Sequence, residues 1–141
     1  MGPLITYLNF DGNCRQVMTF YQQCLGGELT FHTFGDMPEM SAALPDAAKA
    51  RIMHANLKNG AAVLMASDTL PGMPGTLTKG TNFSISVQPQ SVEELDRIWA
   101  AFSQGASIEQ PLSEAPWGAK FGMLTDQFGI QWMFNYESPK S

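Results

Sequence analysis

Residues 52–67 read IMHANLKNGAAVLMAS, and this stretch decides the fold. Two runs rich in apolar residues flank Asn59-Gly60, a dipeptide that strongly favours a tight β-hairpin turn. A loop made of Asn59 and Gly60 alone fixes how the two strands face each other. The predicted cross-strand pairs are Lys58 with Ala61, Asn56 with Val63, and His54 with Met65.

Alternation of side chains along a strand sorts this hairpin into two faces. One face is almost uniformly apolar and is expected to pack against helices; it holds Met53, Ala55, Leu57, Ala62, Leu64 and Ala66. The other face mixes polar and apolar side chains; it holds His54, Asn56, Val63, Met65 and Ser67.

The segments before this hairpin predict a strand, a helix and a second strand. Residues 5–10 are rich in β-branched and aromatic side chains, which favours a strand. Residues 13–25 place apolar side chains three or four positions apart, as one helix face requires, and Asn13 is expected as the N-cap. Residues 28–34 form the next predicted strand, and residues 35–50 form a loop with a short Ala-rich turn.

The same order of elements returns after residues 70–80, LPGMPGTLTKG, whose prolines and glycines predict a linker. Ser91 followed by Glu94 is a capping box that opens a second helix. The elements predicted after the linker are a strand at 82–87, a helix at 91–104, a strand at 107–112, and a final hairpin with arms at 120–125 and 130–135.

The later strands also separate into two faces. In the final hairpin a four-residue loop at 126–129 sets two core pairs, Met123 with Trp132 and Phe121 with Phe134. The opposite face of that hairpin takes Gly122, Gln131, Met133 and Asn135. In the strand at 82–87, Phe83, Ile85 and Val87 are expected in the core and alternate with Asn82, Ser84 and Ser86.

Strand, helix, strand and hairpin therefore occur twice. The sequence predicts an α+β fold in which two βαβββ modules form a curved mixed sheet with helices on its convex side. The length of 141 residues suits a single domain. Within it, the first module is expected at about 1–69, the linker at about 70–80 and the second module at about 81–141.

The strand faces that are not expected in the core are polar yet almost uncharged. A solvated sheet face usually carries Lys, Glu and Arg, so this composition favours a cavity lined with hydrogen-bonding groups for a small ligand. A solvated face stays open as the alternative. The predicted ligand-binding residues are Tyr7, Asn9, Asn56, Met65, Asn82, Ser84, Trp117, Gln131 and Met133.

Two residues are candidates for acid–base chemistry. His54 lies on the predicted cavity face and is expected to orient a substrate or to act as a general base. Glu114 lies near Trp117 in an irregular segment, where a carboxyl group beside an aromatic ring can act as an acid or base. A structural imidazole and an exposed carboxylate are the respective alternatives. The sequence does not assign a face to His32, and Asp68 is expected as a turn residue.

Charge and composition exclude several classes of protein. The formal net charge is −5 and the isoelectric point is about 4.8, so neither nucleic acid nor an anionic membrane surface is an expected partner. The chain has no apolar run long enough for a membrane helix and no signal-peptide pattern, which predicts a cytoplasmic location. Cys14 and Cys24 fall about 15 Å apart in one predicted helix, too far for a disulfide, and are expected as packing residues.

Several stretches together carry a family resemblance. They are Tyr7-Leu-Asn-Phe-Asp-Gly-Asn-Cys14, Phe20-Tyr21, Leu25-Gly26-Gly27, His54-Ala55, Leu64-Met-Ala-Ser-Asp68, Glu114 with Trp117-Gly118, Phe121-Gly122, and Thr125-Asp-Gln-Phe-Gly-Ile-Gln-Trp-Met133. The chain resembles the PhnB-like branch of the vicinal oxygen chelate superfamily, which includes glyoxalase I, extradiol dioxygenases and bleomycin-binding proteins. The resemblance spans nearly the whole chain and implies paired βαβββ modules and a homodimer.

For the enzymes of that superfamily, the resemblance also implies a divalent metal held by His, Gln or Glu side chains from four strands. The matching positions here are Ile5 or Thr6, Met65, Asn82 and Met133. None of them offers an imidazole or a carboxylate, the ligands that a catalytic divalent ion prefers. No metal site and no cofactor are therefore predicted, with a divalent ion held elsewhere as the alternative.

The sequence thus favours a small-molecule-binding protein or a metal-independent enzyme of this branch, with no substrate assigned. Two alternatives stay open. One is a metal-dependent lyase or transferase of the glyoxalase type, and the other is a protein that sequesters its ligand, as the antibiotic-binding members do.

Overall fold

Each half of the chain forms a compact unit, Met1–Thr78 and Lys79–Ser141. The computed structural model describes residues 1–70, 77–116 and 118–137. The first unit contains β1 (Thr6–Phe10), α1 (Cys14–Leu25), β2 (Glu28–Thr33), a 3₁₀ turn (Phe34–Asp36), α2 (Pro38–Ser41), α3 (Asp46–Lys49), β3 (Ile52–Asn59) and β4 (Ala62–Asp68). The second unit contains β5 (Ile85–Val87), α4 (Val92–Ser103), β6 (Ser107–Glu114), β7 (Ala119–Thr125) and β8 (Gln131–Glu137).

Both units have the same topology. The first sheet has the strand order β1-β4-β3-β2 and the second has β5-β8-β7-β6. In each sheet the first and last strands of the module pair in parallel, and the other neighbours pair antiparallel. The predicted α+β class with two βαβββ modules is confirmed. The single domain and the linker at about 70–80 stay predictions, and residues 71–76 lie outside the described residues.

Helix α1 packs against β2, β3 and β4 of the first sheet. Its buried residues follow the predicted spacing of three or four; they are Cys14, Val17, Met18, Tyr21 and Cys24. Burial, together with the negative charge of Asp68, raises the pKa of the Cys14 thiol to about 12. Both cysteines are free and buried, which agrees with their predicted role in packing.

The start of α1 is held by Asp68, from the end of β4. Asn13 occupies the N-cap position, but its side chain forms no cap hydrogen bond within the described part of the chain. Instead, the Asp68 carboxylate accepts hydrogen bonds from the backbone N–H groups of Gly12, Cys14 and Ile52, each at 2.9 Å. Asp68 is 5% exposed. The expectation that it is only a turn residue is wrong.

The register of the first hairpin differs from the prediction. The observed pairs include Asn59 with Ala62, Lys58 with Val63, and Asn56 with Met65. The turn is Gly60-Ala61, and Gly60 has φ +59° at the position that a type II′ turn reserves for glycine. Asn59 stays in β3, where its Nδ2 donates to the carbonyl of Leu25 at 2.8 Å. The pairing moves by two residues, so the paired side chains of 55–59 and 62–66 keep their predicted faces. Met53, predicted on the apolar face, is half-buried at an irregularity of β3.

Aromatic side chains fill the core of the second unit. Phe102 of α4 packs against Trp132 and Phe134 of β8, with ring centroids 4.6 and 5.5 Å apart. Only half of the predicted capping box is present at the start of α4. The Ser91 hydroxyl accepts from the N–H of Glu94 at 3.0 Å, whereas the Glu94 carboxylate accepts from the N–H of Gln90, at 3.1 Å, instead of from Ser91. Within the described ranges, no helix is long and apolar enough to cross a membrane.

The predicted register of the final hairpin is wrong by one residue. Five residues, 126–130, connect β7 to β8, so Met123 pairs with Met133 instead of with Trp132. Asp126 shapes this longer loop. Its N–H donates to the carbonyl of Ile130 at 2.8 Å, and its carboxylate accepts from the N–H groups of Phe128 and Ile130.

The shift of one residue exchanges the two faces of β7. Gly122 and Leu124 face the core, whereas Phe121 and Met123, predicted in the core, are half-buried on the other side. A Cβ atom added to Gly122 would lie 2.8 Å from Cζ3 of Trp99, so only glycine fits this position without movement.

The remaining differences concern strand ends. Strand β5 begins at Ile85, so Asn82 and Ser84 precede it. Phe83, expected in the core, is 49% exposed. Strand β6 continues to Glu114, which therefore ends a strand instead of lying in an irregular segment.

Candidate functional site

The candidate site is one face of the first sheet, here called the polar face. It comprises Tyr7 and Asn9 of β1, Thr30 and His32 of β2, His54 and Asn56 of β3, and Met65 and Ser67 of β4. The opposite face of the same strands is buried against α1. Because side chains alternate along each strand, the polar face projects away from that helix.

One row of the polar face crosses the whole sheet. Tyr7 is level with Met65, Met65 pairs with Asn56, and Asn56 pairs with Thr30. Neighbouring strands lie about 4.8 Å apart. The row therefore places a phenol, a thioether, an amide and a hydroxyl within reach of one small molecule. The predicted ligand residues of the first module, which also include Asn9, share this face.

Tyr7 and His54 make the central polar contact of this face. The Tyr7 hydroxyl lies 3.4 Å from Nδ1 of His54, and the ring centroids are 5.9 Å apart with a tilt of 32°. Strand β4 lies between β1 and β3, so the Tyr7 side chain reaches across it. The contact engages Nδ1, which makes Nε2 the ring nitrogen that can exchange a proton with a ligand.

His32 is a member of the polar face that the sequence does not assign. It pairs directly with His54 across β2 and β3. The register then shifts, because Thr33 pairs with Ile52 and leaves Met53 as the extra residue of a β-bulge. Bulges often re-aim side chains next to functional sites. No turn signal in the sequence sets the register of β2, which is why only the structure places His32.

Asn56 carries an unusual polar atom. Its Oδ1 is buried and has no hydrogen-bond partner among the residues that the structure describes. Buried carbonyl oxygens nearly always have a partner, and leaving one unpaired costs about 1–3 kcal/mol. This atom lies between Met65 and Thr30 in the row that crosses the sheet.

The predicted residues near β5 occupy a less regular part of the second unit. Asn82 is exposed and Ser84 is half-buried, both before the strand begins. Gln131 holds this segment, because its Nε2 donates to the carbonyl of Phe83 at 2.9 Å. The side-chain amide nitrogen of Gln131 is therefore engaged in holding the backbone ahead of β5.

Met133 lies on a face of the second sheet that we call the methionine face. It pairs with Met123 of β7 and is level with Ser86 of β5. The corrected register also adds Phe121 to this side. The methionine face is therefore more apolar than the sequence predicts.

The second predicted acid–base residue, Glu114, is exposed at the end of β6 and pairs with Lys120 in the strand register. The Lys120 ammonium forms its ion pair with Asp96, at 2.8 Å. Trp117 lies outside the described residues, so its predicted contact with a ligand stays a prediction. His54 belongs to the first unit and Glu114 to the second, and a joint role for them also stays a prediction.

The positions that the superfamily resemblance assigns to a metal do not offer suitable ligands. Met65 presents a thioether, which suits soft ions such as Cu(I) better than a catalytic divalent ion. Asn82 is exposed ahead of β5. Among the described residues, no three His, Cys, Asp or Glu side chains are arranged to hold a metal. These residues do not fit the divalent ion that the resemblance implies.

Comparisons with known proteins agree with this architecture. The family model described as the Glyoxalase/Bleomycin resistance protein/Dioxygenase superfamily matches residues 5–134. Protein YjdN of Escherichia coli (strain K12) is 33% identical, over 94% of this chain and 94% of that protein. The crystal structure of protein PA1353 from Pseudomonas aeruginosa is 41% identical, covers 99% of this chain and 100% of that one, and has a TM-score of 0.81. A PhnB protein from Bacillus cereus is 22% identical over 96% of this chain and 99% of its own, and its TM-score of 0.69 shows a shared fold.

Proposed function

Because the chain belongs to the glyoxalase/bleomycin resistance protein/dioxygenase superfamily, we propose that it binds a small organic molecule on the polar face of its first sheet. The observation that carries the proposal is the contact of the Tyr7 hydroxyl with Nδ1 of His54, at 3.4 Å. The binding does not use the superfamily's divalent ion, since the residues at those positions are poor ligands for it.

The charge distribution of the polar face supports this proposal. Towards the β3–β4 turn, the polar face continues to two charged residues, Glu28 and Lys58, which lie opposite each other. The rest of the face presents hydroxyl, amide, imidazole and thioether groups, and the aliphatic side chain of Val63. A solvated sheet surface usually exposes many Lys, Glu and Arg side chains, whereas a ligand site combines apolar walls with a few hydrogen-bonding groups.

His54 is the candidate catalytic residue of this site, and Tyr7 is a positioning residue. The hydrogen bond to Nδ1 orients the ring, so that Nε2 can take or give a proton at a bound ligand. The imidazole ring has two nitrogens, one of which can accept a proton while the other donates one. The site is therefore suited to proton transfer at a neutral small molecule. Met65 is next to Tyr7 on the neighbouring strand and offers the ligand an apolar surface.

A thermal-shift screen of small molecules tests the proposal. We expect molecules that raise the melting temperature of the wild-type protein and lose this effect on Tyr7→Phe and His54→Ala. Tyr7→Phe removes only the hydroxyl that contacts His54, so it tests the central contact with little change in shape. Gln23→Ala is the matched control, because Gln23 is exposed on α1 in the same unit.

Two results would contradict the proposal. One is that no molecule stabilises the wild-type protein, and the other is that every stabilising molecule acts equally on the Tyr7 and His54 variants. A hit should also be incubated with the protein and analysed by mass spectrometry. If a product forms, and His54→Ala still binds but no longer forms it, His54 is catalytic. Binding without product identifies a sequestering protein.

A further inference from the structure

We infer that Asn56 selects the ligand by accepting a hydrogen bond at Oδ1, so that the bound molecule presents a hydroxyl or N–H group at that point. The inference rests on the proposed ligand site and adds the chemical class of what it binds. The expected ligand is a neutral alcohol, phenol, amine or amide. An apolar molecule, or an anion without a hydrogen-bond donor, should bind less tightly.

The observation is that Asn56 Oδ1 is buried without a hydrogen-bond partner among the described residues. The backbone of Asn56 is paired with both neighbouring strands, opposite Met65 on one side and Thr30 on the other. The side chain is thus held in the middle of the polar face. A buried acceptor needs a donor, and a ligand on the polar face can supply one.

A hydrophobic residue would be less costly to the fold at this position. Replacing a buried unpaired amide by an apolar group of similar shape removes its desolvation penalty. A residue that opposes stability in the middle of a candidate ligand face is characteristic of a functional site. The position of Asn56 therefore points to recognition of a ligand.

The spacing of the neighbours limits the shape of the ligand. Asn56 and His54 are two residues apart on β3, so their Cα atoms are about 6.5–7 Å apart on the same face. A molecule that uses both residues carries its donor group at Asn56 and a second group at Nε2 of His54. A single substituted ring or a short chain spans this distance.

Matched pairs of probes test this assignment directly. Phenol and aniline each carry a hydrogen-bond donor, whereas anisole and N,N-dimethylaniline carry methyl groups in its place; the Asn56 variants show how much of any preference comes from the donor and how much from the added methyl groups. We expect the wild-type protein to bind the donor of each pair at least about tenfold more tightly, measured by NMR titration. On Asn56→Leu, this preference should fall to within about twofold, because the acceptor is absent. Asn56→Ala is the second variant, in case leucine disturbs the packing.

The same variant gives a test that needs no ligand. We expect Asn56→Leu to raise the melting temperature by about 2–6 °C, since it removes a buried unpaired oxygen. Asn9→Leu is the matched control, because Asn9 lies on the same face but is exposed, and it should give no such gain.

The outcomes separate this inference from the proposed function. Equal binding of both members of each pair, with binding still lost on Tyr7→Phe, would keep the ligand site and overturn the role of Asn56. A lower melting temperature for both Asn56 variants would also overturn it, because the amide would then have a stabilising partner in the free protein. Failure of every probe to bind the wild-type protein would count against both proposals.

Discussion

The two modules share one topology but differ in the chemistry of the sheet face that lies outside the core. The first module presents the polar face, with Tyr7, His54 and Asn56. The second presents the methionine face, where Met123 pairs with Met133. The same strand order therefore supports a hydrogen-bonding surface in one half and a largely apolar surface in the other. Topology determines where a face lies, and the side chains determine its chemistry.

Each module also contains a buried aspartate, and the two have different tasks. Asp68 joins distant segments, since it accepts from the N–H groups of Gly12, Cys14 and Ile52. Asp126 shapes its own hairpin loop and accepts from Nε1 of Trp132 at 2.8 Å. One aspartate connects the module across the sheet, whereas the other sets the length of a turn.

The largest expected effect compares these two aspartates. We expect Asp68→Ala to destabilise the protein by about 3–5 kcal/mol, because three backbone donors in separate segments lose a charged acceptor. Asp126→Ala should cost less, about 2–3 kcal/mol, because two of its bonds lie within its own loop. Urea unfolding measures both values.

Asp46→Ala is the control for these variants, because the Asp46 side chain is fully exposed, and it should change stability by less than about 0.5 kcal/mol. If Asp126→Ala proved as costly as Asp68→Ala, the distinction between a connecting and a local aspartate would be lost.

The next effect tests the corrected register of the second module. Gly122→Ala should cost about 1–3 kcal/mol, because the new Cβ would lie 2.8 Å from Trp99 and 3.1 Å from the Cα of Leu112. The register predicted from the sequence places Gly122 on the other face, where alanine in a strand would be neutral or stabilising. Gly2→Ala, with no atom nearby, is the control. A neutral Gly122→Ala would favour the register predicted from the sequence.

A smaller effect tests the turn of the first hairpin. Gly60 has φ +59°, a conformation that costs an L-residue roughly 1–2 kcal/mol. Gly60→Ala should therefore destabilise the protein by about 1 kcal/mol in urea unfolding. Ala61→Gly, at the other loop position, should cost only a few tenths. Equal costs at both positions would contradict the observed turn.

The effect that is smallest at neutral pH concerns Cys14. Its folded pKa is raised to about 12 by burial and by Asp68, whereas a thiol in the unfolded chain ionises near its ordinary value of about 8.5. The unfolded state is thus favoured as the pH rises from about 9 towards 12. We expect Cys14→Ala to show a shallower loss of stability over this range. In the native protein at pH 8, neither thiol should react with Ellman's reagent, and rapid labelling of Cys14 would contradict its burial.

The order of the elements could be predicted because local signals mark them. The Asn59-Gly60 dipeptide, the Ser91 capping box and the periodic helices each act over a few residues. The registers of the two hairpins could not be predicted in this way, because they depend on the conformation of the loops. In the first hairpin the error moved the pairing by two residues and preserved the faces. In the second, Asp126 and its bonds to Phe128 and Ile130 added one residue and reversed β7.

The candidate site could be predicted only in part. Alternation placed Tyr7, His54 and Asn56 on non-core faces, and the structure joins them in one. The contact between Tyr7 and His54 could not be predicted, because it requires β4 to lie between their strands. The burial of Asn56 Oδ1 and the place of His32 on this face could not be predicted either, because both depend on how neighbouring strands pair.

The most direct test of the ligand site is NMR of protein labelled with ¹³C-methyl methionine, titrated with a molecule that stabilises it. Met65 reports on the polar face, and Met18, buried in α1, is the internal control. We predict that the Met65 methyl signal shifts on binding, that Met18 stays in place, and that Tyr7→Phe weakens the response. A saturating ligand that leaves the Met65 signal unchanged would contradict a binding site on the polar face.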